Sequence, residues 1–368
     1  MRLRPAISVL HVLPSLAVGG IETMITRFMA ECPPEIDYRL LVLSTEDSTE
    51  IPLSATIRDK VHYLGSNSSP LTYLRAAFNV IAHKGAIIVS STWKAAFVLW
   101  LAKRFSTVDR HVAFTHRSSV AHQIDRILRT WQVKHSLINI ADSQSSAVWV
   151  SHATGGCDVI VIDPIFTPPT LRTARPHVLS ICFIGRLAPV KNLEAVCKLV
   201  DRLVAHGFSF TFHIYGPDAG SKDQVDQWLN KHHQDRGNLG LDFAYLGPIP
   251  PQEVHQVAAR YHFILSCSHT EGFAMSIAEA MQVGTVPIVG RIGGPSTYCR
   301  HDNAIMLDDY SDSSLEIVAR QVLGIWNEPT RFRSMSEAAT RTFTASQFFP
   351  NRYVSLLKQF AIVPLQSK

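Results

Sequence analysis

The 368-residue sequence predicts an α/β protein made of two doubly wound parallel sheets in tandem. Short apolar runs of strand length alternate with longer helix-like stretches along most of the chain. The alternation breaks once, at a proline-rich stretch near the middle, and then restarts. The length suits two domains of roughly 100–200 residues each.

In the first half, Ile7–Leu13 reads as a strand, Glu22–Ala30 as a helix and Arg39–Leu43 as a strand. Leu71–His83 follows as a helix, Ala86–Ser90 as a strand, Ala95–Arg104 as a helix and His111–Thr115 as a strand. Ile124–Lys134 is a helix, and Leu137–Ala141 and Val159–Ile162 are strands. Pro164, Pro168, Pro169 and Pro176 then interrupt the pattern. Few contacts cross such a stretch, so it marks the domain boundary.

The second half repeats the order. Val178–Ile184, Ser209–Tyr215, Phe243–Leu246, Phe263–Ser266, Val286–Val289 and Ala304–Leu307 read as strands. Leu193–His206, Gln224–His233, Pro251–Arg260, Ser276–Val283, Leu315–Trp326 and Thr330–Phe343 read as helices. A last helix covers about Arg352–Ala361. The expected division is a first domain over 1–168, a second over 169–345 and a closing helical segment over 346–368. No short-period repeat is visible. Sheets of this kind bind ligands beyond the carboxyl ends of their strands, and two facing sheets would hold a ligand in the cleft between them.

Composition narrows the function classes. Hydrophobic residues make up 46% and charged residues 18%, the mix of a folded protein. The net charge is +5 with a pI near 8.9, which fits either an ordinary basic surface or a protein that handles anions such as nucleotide phosphates or an acidic membrane. Nucleic acid is not expected, since no dense basic block or nucleic-acid motif appears. The six cysteines include no C-x-x-C pair, and reduced, mostly buried thiols in a cytoplasmic protein are expected. Met1–Arg4 with Ala6–Val18 loosely imitates a signal peptide, but His11 and Pro14 interrupt the apolar stretch, and a first strand fits better. No apolar run approaches the roughly 18–20 residues of a membrane span; Ala95–Ala102 is bracketed by Lys94 and Lys103.

Four clusters can carry chemistry. The strongest runs from Ser266 to Gly284. A buried strand ends in a polar loop holding Glu271 and Gly272, and a helix begins near Ala274–Ser276. Its free amides and positive dipole end suit a diphosphate. Gly272 allows close approach to the backbone. Glu271 and Glu279 would grip sugar hydroxyls at two points. Taken singly, each Glu has a plain structural reading, as a helix cap or a solvated side chain.

The second cluster, Phe183–Asn192, follows the first strand of the second half. Arg186 would offer a fork to phosphate oxygens and Lys191 a point charge; otherwise both are solvated surface cations. The third is Gly19-Gly20-Ile21-Glu22, a turn that lets a ligand come near Gly20, although Gly is common in such turns. The fourth is Phe114-Thr115-His116-Arg117, in which His116 would face the cleft and contact the sugar or phosphate, or else be a satisfied structural histidine.

Several motifs are absent. No glycines are spaced as G-x-G-x-x-G, there is no P-loop, no Asp-x-Asp and no H-E-x-x-H, and the 17 histidines show no metal spacing. Charge on a leaving diphosphate would fall to Arg186, Lys191 and the helix start.

At this point the sequence resembles a known family, the retaining GT-B glycosyltransferases of family four, also called group 1. Glu271 through Glu279 is similar to its E-x7-E motif. Gly185-Arg186 through Lys191-Asn192 resembles its G-R-x…K-N/G segment, and Gly19-Gly20-Ile21-Glu22 its G-G-x-E turn. Ile214-Tyr215-Gly216 and Tyr245-Leu246-Gly247 resemble its strand ends. Three positions depart from the pattern. Ala274 stands where the family often has Gly, no Glu lies near Thr297, and Asp163-Pro164 replaces Asn-Pro.

The resemblance implies a GT-B fold, two Rossmann-like doubly wound domains facing across a cleft, with the last helix crossing back to the first domain. It implies that Arg186 and Lys191 bind the donor diphosphate and that Glu279 holds the ribose. Glu271, with the backbone of Gly272 and Phe273, would hold the transferred sugar and phosphate, and His116 would meet the sugar. The donor would be a UDP- or GDP-sugar, used with no cofactor and no metal, and the anomeric configuration would be retained. Bacterial relatives often build lipopolysaccharide, capsule or exopolysaccharide, which implies a glycan or lipid-linked acceptor and a cytoplasmic enzyme at the inner face of the inner membrane.

Lys84, Lys94, Lys103, Arg104 and Arg110, with Phe97, Trp100 and Phe105, would rest on that membrane, or else belong to ordinary amphipathic helices. Competing readings are a sugar-nucleotide epimerase of the same fold, a phosphorylase, which needs a longer chain, and a binding module that has lost its chemistry.

Overall fold

The computed structural model describes residues 7–17, 19–44, 51, 53–66, 68–116, 122–168, 175–232 and 241–362. The chain divides into two compact units, Met1–Phe166 with Ser346–Lys368, and Thr167–Ala345.

The first unit is built on seven strands: β1 (Ile7–Leu13), β2 (Ile36–Val42), β3 (Val61–Tyr63), β4 (Ile87–Ser90), β5 (His111–Thr115), β6 (Ile138–Ala141) and β7 (Val159–Val161). They lie in the order β3-β2-β1-β4-β5-β6-β7, and every pairing is parallel. Ile7 pairs with Ile36 and Leu13 with Val42. The crossovers are α1 (Gly20–Glu31), α2 (Ala55–Arg58), α3 (Pro70–Ala82), α4 (Trp93–Phe105), α5 (Gln123–Lys134) and α6 (Gln144–Thr154). Strand order reverses between β1 and β4, and in open α/β sheets the carboxyl ends of the strands at such a switch point are where ligands bind.

The second unit repeats the plan with six parallel strands: β8 (Leu179–Ile184), β9 (Phe210–Tyr215), β10 (Asp242–Gly247), β11 (Phe263–Ser266), β12 (Val286–Gly290) and β13 (Ile305–Leu307). Their order is β10-β9-β8-β11-β12-β13, with the switch between β8 and β11. The helices are α7 (Leu193–Ala205), α8 (Lys222–His232), α9 (Val254–Ala258), α10 (Met275–Gln282), α11 (Pro295–Tyr298), α12 (Asp312–Trp326) and α13 (Pro329–Thr340). All six residues of β8 are buried, as expected of a strand covered by helices on both faces. Each large apolar side chain buried there contributes about 1.5–3 kcal/mol.

The last helix, α14 (Phe349–Ile362), belongs to the first unit and packs on α1, β1 and β4. Phe349, Tyr353 and Leu357 are completely buried. The Phe349 and Tyr353 rings meet Phe28 edge-on at 5.8 and 5.0 Å. Tyr353 OH lies 3.1 Å from Tyr38 OH, and the Phe349 amide donates to the Ile165 carbonyl at 2.6 Å.

The sequence reading missed α2, β3, α6 and α11. Pro251–Arg260 resolves into a 3-10 turn (Pro251–Glu253) followed by the short α9. His233, Arg117, Met1–Arg4 and part of the proline-rich boundary fall outside the described residues.

Candidate functional site

The residues singled out in the second unit follow β8 and β11, the two strands that flank its switch point. After β8, the Gly185 amide donates to the Tyr215 carbonyl at 3.0 Å, tying the ends of β8 and β9 together. Gly216 makes this possible. Its φ is +140°, and a Cβ there would lie 1.8 Å from the Gly185 carbonyl oxygen. Arg186 is exposed and its side chain makes no hydrogen bond or ion pair among the described residues. A 3-10 turn, Pro189–Lys191, then carries Lys191 towards the β11 loop, and Asn192 caps α7 by accepting from the Ala195 amide at 3.3 Å.

The β11 loop comes to meet it. The His269 amide donates to the Val190 carbonyl at 2.8 Å, and Lys191 Nζ pairs with Glu271 Oε1. Ser268 Oγ donates to the same carboxylate oxygen at 2.6 Å. Tyr310 OH donates to the Ser268 carbonyl at 2.7 Å, and burial pushes the Tyr310 hydroxyl's pKa up, so it stays a donor. Glu271 Oε2 accepts no hydrogen bond among the described residues. The arrangement therefore holds Glu271 by one oxygen, Oε1, and leaves Oε2 without a partner among the described residues.

The start of α10 is built with backbone strain. Ala274, its N-cap, has φ +62° and ψ +67°, a left-handed conformation that costs a residue with a Cβ roughly 1–2 kcal/mol. Tyr298 OH fixes the turn by donating to the Phe273 carbonyl at 2.6 Å. The Phe273 ring is buried against Tyr298 at a centroid distance of 5.1 Å, so only its backbone can meet a ligand. Gly293 and Gly294 press on the same turn. A Cβ at Gly293 would lie 2.0 Å from the Glu271 carbonyl oxygen, and one at Gly294 2.1 Å from that of Gly272. The Gly294 amide donates to that Gly272 oxygen at 2.6 Å. The amides of Met275 and Ser276, in the first turn, have no intrahelical partner, so donors and the positive dipole end gather at the helix start. Glu279 is buried in the body of α10 rather than on a solvated face.

Gly20 and His116 belong to the first unit. Gly20 is the first residue of α1, directly beyond β1, and the space where its Cβ would stand is open. His116 follows β5 and is buried. Its Nε2 lies 3.2 Å from Ser91 Oγ and its Nδ1 3.6 Å from Asp142 Oδ2. Ser91 Oγ also lies 2.6 Å from His11 Nε2, and His11 Nδ1 lies 2.8 Å from Tyr38 OH. Burial, and then the nearby His116, hold the His11 pKa well below its ordinary value, so His11 is neutral at physiological pH. A buried polar chain thus runs from Tyr353 through Tyr38, His11 and Ser91 to His116.

Sequence reasoning did not single out Ser268, whose partner Glu271 is only three residues away, nor Tyr310, Ser91 and Asp142, whose partners are distant in the chain. The adjacent Gly293-Gly294 pair was a visible signal. Among the described residues, no three His, Cys, Asp or Glu side chains gather as metal ligands.

Residues 175–339, inside the second unit, match the family model described as glycosyl transferases group 1. The second unit is a group 1 glycosyltransferase domain. Within this transferase domain lie Arg186, Lys191, Glu271, Gly272, Phe273 and Glu279. Glycogen synthase 1 of Nitrosococcus oceani is 26% identical over 170 residues, which is 43% of this chain and 34% of that protein. D-inositol 3-phosphate glycosyltransferase of Corynebacterium glutamicum is 26% identical over 207 residues, 53% of this chain and 48% of its own. The chain spans between about a third and a half of the length of these curated relatives. The crystal structure of Anabaena HepE in complex with UDP and glucose matches with a TM-score of 0.71 at 18% identity, over 96% of this chain and 99% of that one. The fold is thus GT-B, with two Rossmann-like units around parallel sheets.

Proposed function

We propose that the protein is a glycosyltransferase that moves a sugar from a nucleotide diphosphate sugar, UDP- or GDP-linked, with retention of the anomeric configuration. The observation that carries this reading is the joining of the β8 and β11 loops at the transferase domain's switch point. There the Lys191–Glu271 pair stands with exposed Arg186 and the amino end of α10. As the sugar–phosphate bond breaks, negative charge grows on the β-phosphate. Arg186, Lys191 and the first amides of α10 are the groups suited to receive it, without a metal. Glu271 holds a sugar hydroxyl through Oε2, the amides of Gly272 and Phe273 hold sugar and phosphate, and Glu279 holds the ribose. Gly20 lets the donor approach the backbone, and His116, oriented by Ser91 and Asp142, contacts the sugar.

The acceptor we propose is a glycan or lipid-linked glycan of bacterial surface polysaccharide, such as lipopolysaccharide, capsule or exopolysaccharide. The resemblance in the E-x7-E segment and the matched transferase domain support this reading.

A thermal-shift series with UDP-, GDP- and ADP-sugars tests the donor assignment, because specific binding raises the melting temperature by mass action. NMR of the donor alone and then with acceptor glycans distinguishes epimerisation, hydrolysis and transfer, and reports the product's anomeric configuration. Unchanged turnover in EDTA is expected. No shift with any nucleotide sugar, or turnover unaffected by Glu271→Ala, overturns the assignment.

A further inference from the structure

α3, α4 and α5 of the first unit pack side by side and present a face that the donor chemistry does not use. Of the twelve exposed large hydrophobic side chains among the described residues, six lie on these three helices: Leu71, Leu74, Phe78, Phe105, Ile124 and Ile127. Leu71, Leu74 and Phe78 recur at helical spacing, so α3 turns an apolar stripe outward, where an ordinary solvated helix is polar. Arg75 sits on the same stripe and is exposed. The Phe78 ring stacks on Phe105 of α4 at 5.9 Å, which makes the two helices one surface. Beside it lies a cavity of about 460 Å³ lined only by apolar and aromatic side chains, among them Tyr73, Trp93, Phe97 and Leu128.

The charge of this region is as uneven as its polarity. Residues 70–134 hold ten Lys and Arg against two Asp and Glu, a balance of +8, while the whole chain stands at +5. The rest of the molecule is therefore net negative. The cations are mixed with the aromatic rings. Arg104 lies 4.8 Å over Trp100 and Lys94 5.7 Å over Trp93, an arrangement with an apolar body and a charged tip. Among the described residues no helix is long and apolar enough to cross a membrane.

We propose that the α3–α4–α5 face docks on an anionic lipid bilayer, with Leu71, Leu74, Phe78 and Phe105 entering the headgroup boundary and Arg75, Lys94 and Arg104 meeting lipid phosphates. An apolar stripe rimmed by cations is the surface such a boundary selects. The inference concerns a partner rather than the reaction, and it stands whether or not the chain transfers a sugar.

The test is co-sedimentation of the full chain with vesicles of phosphatidylcholine alone and of phosphatidylcholine mixed with phosphatidylglycerol, at low and high salt. Binding is expected only to the mixed vesicles and is weakened by salt. Each lipid-facing cation contributes about five-fold in affinity, so Arg75→Ala with Arg104→Ala lowers binding by roughly twenty-fold. Phe78→Ser with Phe105→Ser lowers it by about ten-fold or more, and Leu71→Ser with Leu74→Ser serves as a second apolar variant should that one fail to fold. Arg320→Ala on α12, whose side chain is 70% exposed, leaves binding unchanged. The proposal is overturned by absence of binding at low salt, by equal binding to both vesicle types, or by parental binding in the folded double variants. Retention of duplex DNA with no vesicle binding overturns it too.

Discussion

Lys191 Nζ pairs with Glu271 Oε1 across 80 residues of sequence, with side chains only 20% and 11% exposed. The pair is the covalently unlinked joint between the loop after β8 and the loop after β11. Lys191→Ala removes the partner of Glu271 and, in the proposed function, a cation that receives charge from the leaving phosphate. It is expected to lower kcat/KM by about a hundred- to a thousand-fold, roughly 3–4 kcal/mol of transition-state stabilisation. It also leaves the Glu271 carboxylate with Ser268 as its remaining partner, at a cost of roughly 1–3 kcal/mol in stability. Steady-state kinetics and urea unfolding of the same variant read the two effects separately. An unchanged rate removes Lys191 from the donor site.

Glycine substitutions should divide sharply by position. Gly293→Ala and Gly294→Ala each drive a Cβ to within about 2 Å of a carbonyl oxygen in the Glu271–Phe273 turn. Both are expected to lower the melting temperature by several degrees and to abolish the thermal shift given by the donor. Gly324→Ala, inside α12, meets no atom within 4 Å and is expected to stabilise by about 0.5–1 kcal/mol through helix propensity. Comparable melting temperatures for all three would contradict the packing at the turn.

Ala274→Gly relieves the left-handed N-cap of α10. The backbone cost removed is roughly 1–2 kcal/mol, against a chain-entropy loss of roughly 0.5–1 kcal/mol. The expected result is a higher urea midpoint at unchanged m value, worth about 0.5–1 kcal/mol. A lower midpoint would mean that the methyl group's contacts outweigh the strain.

Asp163, beside the proline that opens the boundary stretch, has its pKa raised to about 6. Burial is the main cause, opposed by Arg352 and reinforced by Asp142. A carboxyl raised on folding binds its proton more tightly in the native state. The stability this supplies is complete below the unfolded value near 4 and is lost as pH rises through about 6, up to about 3 kcal/mol. Asp163→Asn is therefore expected to remove that slope, and to be more stable than the parent at pH 7.5. Parallel stability–pH curves for parent and variant between pH 4 and 7 would show that Asp163 ionises freely.

Much of this was legible from residue pattern. β1, β5 and β11 are mostly apolar, and their observed bounds are those read from sequence. α6 was hidden because its buried face uses Ser146 and Ala147 beside Val150, too polar to show a period. β3 is three residues long and only partly buried, which leaves no apolar signature. The Glu271–Glu279 segment was recognisable as a string of residue types. That Glu279 is buried, that Tyr298 pins the turn and that Ala274 is left-handed depend on tertiary contacts, which no local pattern encodes.

The chain order of the last helix governs how the protein can be made. Phe349, Tyr353 and Leu357 fill the interior of the first unit, yet they leave the ribosome only after the whole of the second unit. The second unit is contiguous and can close during synthesis, whereas the first stands with Phe28, Tyr38 and Phe114 incompletely covered. At about 5–20 residues per second that interval lasts on the order of ten seconds or more, and it is the period in which a nascent chain of this design depends on chaperones.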